Sequence, residues 1–130
     1  MNTKPKYNFF HRLQLAITGI LVALKRERHM KFHVLFSTTI LTPLIWIPQP
    51  ILYKWILVIL VALLIVTELI NTAIELTIDL ITKQFKHRAK LAKDTASGAV
   101  LIMALLVLGF SMFIYYPSMY NLSIGVFIGN

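Results

Sequence analysis

The chain has 130 residues, 58% of them hydrophobic, with a formal charge of +8 and a mean hydropathy of +0.75. A single domain of this length cannot bury so much apolar side chain in water, so a soluble globular protein is excluded and a membrane supplies the missing apolar solvent. The lack of cysteine excludes disulfides, thiolate metal ligands and a catalytic thiol.

Residues 9–24 read as an amphipathic helix. Phe9, Phe10, Leu13, Ile17, Ile20, Leu21 and Leu24 fall within about 120° of arc at 100° per residue, and His11, Gln14, Thr18 and Lys25 lie opposite. An apolar stripe with basic residues around it suits a helix lying in the headgroup plane; ordinary helix packing is the plainer use of the same stripe. Beside it, Ala16, Gly19 and Ala23 form a strip of small residues that lets another helix come close, with Glu27 one turn further on. Segment 1–31 is therefore expected on the cytoplasmic surface. Its basic stretch runs on for about thirty residues with no small-residue cleavage site after an early apolar core, so a cleavable signal peptide is not expected.

Segment 32–49 is the first expected span and outer turn, short and broken at Pro48 and Pro50. Pro43, Pro48 and Pro50 cluster with Trp46, Tyr53 and Trp55, which predicts a tight outer hairpin with aromatic anchors. The second span starts near Ile51 and its helix continues to Ile81. At 1.5 Å per residue that is roughly 45 Å, longer than a hydrocarbon core of ~30 Å, so the cytoplasmic end protrudes. A basic loop over 82–93, a third span over 94–116 and an outer tail over 117–130 complete the chain.

The cations fix the orientation. Of thirteen Lys and Arg residues, seven precede Phe32 and five lie between Lys83 and Lys93; Lys54 alone separates the first two spans and none follows the third. The positive-inside rule places the N-terminus and the second loop in the cytoplasm and the C-terminus outside. Anionic headgroups account for basic residues beside spans, so no nucleic-acid partner is expected.

The acids are few and gathered: Glu27, Glu68, Glu75, Asp79 and Asp94. With Glu68 at zero on the helical wheel, Asn71 falls near 300°, Glu75 near 340° and Asp79 near 20°, so all four share one face. An ionisable group as deep in a span as Glu68 points to function. Pairing with basic residues of a neighbouring helix is the structural alternative, but the span holds no basic residue of its own beyond Lys54 at its outer end. Several carboxylates on one face repel unless a divalent cation sits among them, and oxygen donors without Cys favour a hard ion such as Mg2+. A proton or ion pathway is another intramembrane use of such a face, which keeps a small ion, proton or drug transporter using Glu68, Glu75 and Asp79 as the rival reading; a structural membrane subunit is a third.

After this helix Lys86, Arg88, Lys90 and Lys93 precede Asp94. Cations and carboxylates converging at one depth suit a polyphosphate carried with its metal, although a solvated basic loop also explains the lysines singly. The sequence contains no Walker-type GxxxxGK[ST], no GxGxxG and no protein-kinase motif. If ATP binds, it does so outside the known soluble folds. His11, His29, His33 and His87 make no zinc set; His29 and His33 share a helical face of the kind more often used for packing.

The stretch ELINTAIELTID from Glu68 to Asp79, followed by AKDTASGAV from Ala92, resembles the paired signature of the prokaryotic diacylglycerol kinase family, which includes the undecaprenol kinases; ERHMKFH from Glu27 resembles its first acidic motif. The likeness covers the chain from about Phe9 to Phe113. It implies an all-α integral membrane protein, a homotrimeric bundle of three-span subunits each with an N-terminal amphipathic surface helix, in the bacterial plasma membrane, with active sites between subunits at the cytoplasmic face. It implies an ATP-dependent lipid kinase that transfers phosphate directly to a lipid alcohol. By motif position Glu68 is the catalytic base, Glu27 and Glu75 hold Mg2+ bound to ATP, and Asn71, Glu75, Lys93 and Asp94 line the nucleotide site. Asp79 organises the polar face, and Lys86, Arg12 and Gly19 are further candidates. The chain departs from the family pattern at His29, where many relatives have Asn, and at Lys86, where they have a His that here is displaced to His87. The E-R-x-M-x-F-H pattern and the AKLAKD loop look closer to the undecaprenol branch.

Overall fold

The first helix, α1 (Phe9–Arg26), begins where the side chain of Asn8 accepts the His11 backbone N–H at 2.9 Å, and it ends with Lys25 and Arg26 in its last turn, where cations suit the helix dipole. This is a computed structural model that describes residues 8–128, without the side chains of residues 118, 119 and 121–128. Residues 1–7 of the expected surface segment and 129–130 of the expected tail lie outside the described residues. The apolar stripe expected on α1 is exposed, from Phe9 and Phe10 through Ile17 to Leu21, and Ala23 is buried. A Cβ placed on Gly19 would meet nothing within 4 Å, so the small strip is used at Ala23 but not at Gly19 within one chain.

Glu27 alone separates α1 from α2 (Arg28–Leu41); its extended backbone, φ −88° and ψ 121°, ends one helix and begins the next. The α2 helix thus starts four residues before the first expected span. It continues into a 3-10 turn, Thr42–Ile45, with Pro43 near its start, and α3 (Ile51–Ile81) begins after Pro50. This is the tight hairpin that the prolines predict. Lys54 Nζ donates to the Leu44 carbonyl at 3.4 Å, and the side-chain amide of Gln49 donates to the Ile114 carbonyl at 2.8 Å, which ties the hairpin down.

The bounds of α3 match the predicted 51–81. Its buried positions are Leu57, Val61, Leu64, Glu68, Asn71 and Thr72, and those of α4 (His87–Ile128) include Val100, Val107, Ser111 and Ile114. Spacings of three, four and seven keep one seam on each helix facing the other, as in knobs-into-holes packing. Near the start of α3 Tyr53 packs edge-on against Phe110 and Phe113, with ring centroids 6.2 and 6.1 Å away. The Tyr115 hydroxyl donates to the Ile40 carbonyl at 2.8 Å and joins α4 to α2.

The α4 helix differs from expectation at both ends. It starts at His87, which shortens the predicted 82–93 loop, because His87 to Lys93 is rich in Ala, Leu, Lys and Arg, good helix formers; hydropathy marked where the apolar run begins, not where the helix does. It also passes through Pro117 to Ile128 instead of stopping at 116.

Two helical stretches, Ile51–Ile81 and His87–Pro117, are long and apolar enough to cross a membrane. The chain exposes 10548 Å², against about 7000 Å² for a soluble monomer of its mass, and Ile59, Ile70, Leu101, Ile102, Leu105 and Met112 are among the large apolar side chains on that surface. The hydroxyls of Thr38, Thr39, Thr42 and Thr67 each donate to the carbonyl four residues back, at 2.8, 3.0, 2.7 and 2.7 Å, so they are satisfied without water. The molecule is a helical membrane protein.

Candidate active site

The polar face read from the wheel exists, and its burial is graded. Glu68 is 2% exposed, Asn71 and Thr72 are buried, Glu75 is half-buried and Asp79 is exposed. Placing a carboxylate where Leu64 and Leu57 set the pattern is costly unless other polar groups meet it. Asn71 lies one turn on and donates its amide to Glu75 Oε1 at 3.4 Å, while its Oδ1 is buried without a hydrogen-bond partner. His29, Glu75 and Glu27 are the other titratable side chains near Glu68.

Across from Glu68 stands a residue that the wheel did not single out. His33 Nε2 is 3.9 Å from Glu68 Oε2. His33 lies three residues after Met30 and four before Ser37, both buried, so it belongs to the inner face of α2. The signal was present, a polar ring within a mostly apolar segment, but on one helix a histidine spacing says nothing about an acid on another. Beside this pair is a cavity of about 280 Å³, lined on its polar side by His29, His33, Glu68, Asn71 and Ser97 and on its apolar side by Phe32, Val100, Leu101 and Ala104. A buried carboxylate at the edge of an apolar hollow can take a proton from a hydroxyl whose carbon chain fills that hollow.

A second cavity, about 390 Å³, lies where the last turn of α3 meets the first turns of α4. It gathers Lys86, Lys93 and Asp94 with Asp79, Lys83 and Lys90. Lys93 Nζ donates to Asp79 Oδ1 at 2.6 Å. That hydrogen bond pushes the Lys93 pKa above the usual lysine range, so the cation persists through neutral pH and is lost only as pH rises past that raised value. The ion pairing weighed as the structural alternative is therefore realised for Asp79, on the side of Lys93. Lysines and carboxylates lining one hollow can bind a polyphosphate with its metal.

The remaining candidates lie further out. Glu27 is half-buried at the junction of α1 and α2, and Arg12 is exposed in the first turns of α1. Gly19 lines a hollow of about 330 Å³ between α1 and α3, with Ala16, Ala23, Leu69, Thr72 and Ala73. Among the described residues no three acidic or histidine side chains converge as a metal-binding group. The donors that are present, Glu27 and Glu75 with the open Asn71 oxygen nearby, fit an ion that brings most of its ligands with it, because Mg2+ commonly takes one or two carboxylates and completes its shell with phosphate and water.

Comparison with known proteins agrees with this chemistry. The model of the family "Prokaryotic diacylglycerol kinase" matches residues 14–115. A protein named undecaprenol kinase from Bacillus subtilis (strain 168) is 33% identical over 111 residues, covering 85% of this chain and 90% of the relative. A protein named diacylglycerol kinase from Synechocystis sp. (strain ATCC 27184 / PCC 6803 / Kazusa) is 30% identical over 99 residues, covering 75% of this chain and 57% of the relative. Nothing in these likenesses supports the transporter reading. On this match, which covers most of its length, the chain belongs to the prokaryotic diacylglycerol kinase family and is a lipid kinase.

Proposed function

We propose that the chain transfers the γ-phosphate of ATP to the hydroxyl of a membrane lipid alcohol at the cytoplasmic face of a bacterial plasma membrane. The observation that carries this reading is the burial of Glu68 beside a largely apolar cavity while the lysine-rich hollow lies further along the same helix, toward its cytoplasmic end. The base sits on α3 and the nucleotide-binding cations lie where that helix ends against α4, so the two are held at different depths. A lipid hydroxyl reaches the first from the bilayer and a nucleotide reaches the second from the cytosol.

In this reading Glu68 accepts the proton of the acceptor hydroxyl as its oxygen attacks the γ-phosphorus in line. Asn71, Glu75, Lys86, Lys93 and Asp94 hold the nucleotide, with Arg12 and Gly19 contributing from the surface helix. Lys93 exchanges Asp79 for a phosphate oxygen. Glu27 and Glu75 hold Mg2+, which when bound to ATP neutralises phosphate charge. The reaction needs no covalent phosphoenzyme.

The architecture proposed around the site has three spans, with the N-terminus in the cytoplasm and the C-terminus outside. For the first span, α2 from Phe32 supplies roughly 15 Å and the 3-10 turn about 8 Å more, a short crossing against the ~30 Å of a hydrocarbon core. Segments 1–31 and 82–93 face the cytoplasm, 94–116 crosses, and 117–130 lies outside. We further propose a homotrimer with sites shared between subunits. The exposed position of Arg12 and the open space a Cβ at Gly19 would enter support it, since both leave room for a second copy of the chain.

For the acceptor we favour undecaprenol over diacylglycerol. Away from Glu68 and its polar neighbours the hollow is walled by Phe32, Val100, Leu101 and Ala104, which suits a bare hydrocarbon chain leading away from the hydroxyl. The test is the purified protein with ATP, Mg2+ and either lipid in mixed micelles. Phosphate transfer to undecaprenol is expected; transfer to neither lipid would remove the kinase reading of this site.

A further inference from the structure

We propose that His33 is a positioning residue for Glu68, its Nε2–H holding one carboxylate oxygen so that the other faces the acceptor hydroxyl. The inference rests on the reading of Glu68 as the base. Among the described residues His33 is the one basic side chain within 4 Å of Glu68. Its side chain is 12% exposed, and its Nδ1 is buried with no hydrogen-bond partner.

That orphaned nitrogen fixes the tautomer. A buried N–H without an acceptor is rarer and costlier than a bare acceptor, so the ring proton belongs on Nε2, toward the carboxylate, and Nδ1 carries the lone pair. The 3.9 Å separation exceeds a hydrogen bond of about 2.7–3.2 Å by less than an ångström. Catalytic hydrogen bonds are commonly long before substrate binds and tighten when it does. The cavity beside the pair provides the space for that movement.

A neutral donor also fits the task better than a cation. A Lys or Arg at this place would stabilise the carboxylate strongly and weaken it as a base, whereas an imidazole N–H orients it and leaves most of its basicity. The titratable groups around the His33–Glu68 pair are His29 on the helix of His33, Glu27 at the junction, and Glu75 on α3. From α4 the same cavity receives Ser97, Val100, Leu101 and Ala104, none of which titrates. No titratable side chain of α4 therefore lines the cavity beside the ring.

The test compares His33→Leu, His33→Gln and Ser37→Ala in the intact protein, in mixed micelles with ATP, Mg2+ and undecaprenol, with size-exclusion profiles to check assembly. Glutamine places an amide donor near the Nε2 position and leucine does not. Expected are a fall in kcat of about tenfold for His33→Leu with KM for ATP within about twofold, and recovery to within about threefold for His33→Gln. Ser37→Ala, on the same buried face of α2, should leave kcat unchanged. The acid limb of the kcat profile should move to higher pH in His33→Leu, because losing a donor disfavours the charged carboxylate.

Wild-type kcat in His33→Leu, an unmoved acid limb, or His33→Gln as poor as His33→Leu would overturn the proposal. An equal loss in Ser37→Ala would assign the effect to packing and overturn it as well. Glu68→Gln serves as the reference. Activity surviving in Glu68→Gln sinks the base reading itself, whereas an inactive Glu68→Gln beside a fully active His33→Leu sinks only the positioning role.

Discussion

The two halves of α3 follow one spacing and carry opposite chemistry. In the outer half Leu57, Val61 and Leu64 are buried against α4 with Val107 and Ile114, capped by the aromatic contacts of Tyr53. In the inner half the same rhythm brings Glu68 and Asn71 to the buried positions. Burial of a carboxylate is unfavourable on its own, so its place is secured by the part of the helix that packs well. The outer half makes the helix rigid, and the inner half uses that rigidity to hold charged groups in place.

Substitutions in the two halves should therefore separate activity from stability. The largest effect is expected for Glu68→Gln, a fall in turnover of about a thousandfold, the range of a lost general base; size-exclusion should still show an assembled protein. Loss of assembly instead would make the inner half structural and erase the contrast. Next, Leu64→Ala should destabilise by about 2–3 kcal/mol in an unfolding titration, as cavity-forming changes do, while folded enzyme keeps kcat within about twofold. A dead but folded Leu64→Ala would break the division of labour. Lys93→Met should raise KM for ATP about tenfold with a smaller change in kcat, the cost of one charge-assisted contact, read from initial rates against ATP. The smallest effect belongs to Tyr115→Phe, which removes the donor to Ile40. About 0.5–1 kcal/mol of stability should be lost, with no change in turnover.

Much of this contrast was legible before the structure, for particular reasons. The α3 helix is readable to the residue because Pro50 and the end of a long apolar run bound it, and the shared face of Glu68, Asn71, Glu75 and Asp79 follows from helical spacing alone. The start of α4 was not legible, because hydropathy reports the apolar run, and the seven residues from His87 to Lys93, polar or small except Leu91, belong to the same helix. The pairing of Lys93 with Asp79 and the approach of His33 to Glu68 are contacts between helices, and no periodicity within one helix contains them. Gly19 shows the converse: a small residue permits close approach without compelling it, and the single chain leaves the space open.

In the proposed mechanism the buried Glu68 works on the lipid hydroxyl and never on phosphorus. This is tested most directly by the stereochemistry at phosphorus, using ATP made chiral at the γ-position by thio and oxygen-isotope substitution. A single in-line transfer to the lipid inverts that centre, and inversion is the expected result. Retention, with a phosphorylated carboxylate trapped by rapid quench, would contradict the account and make the acid a nucleophile.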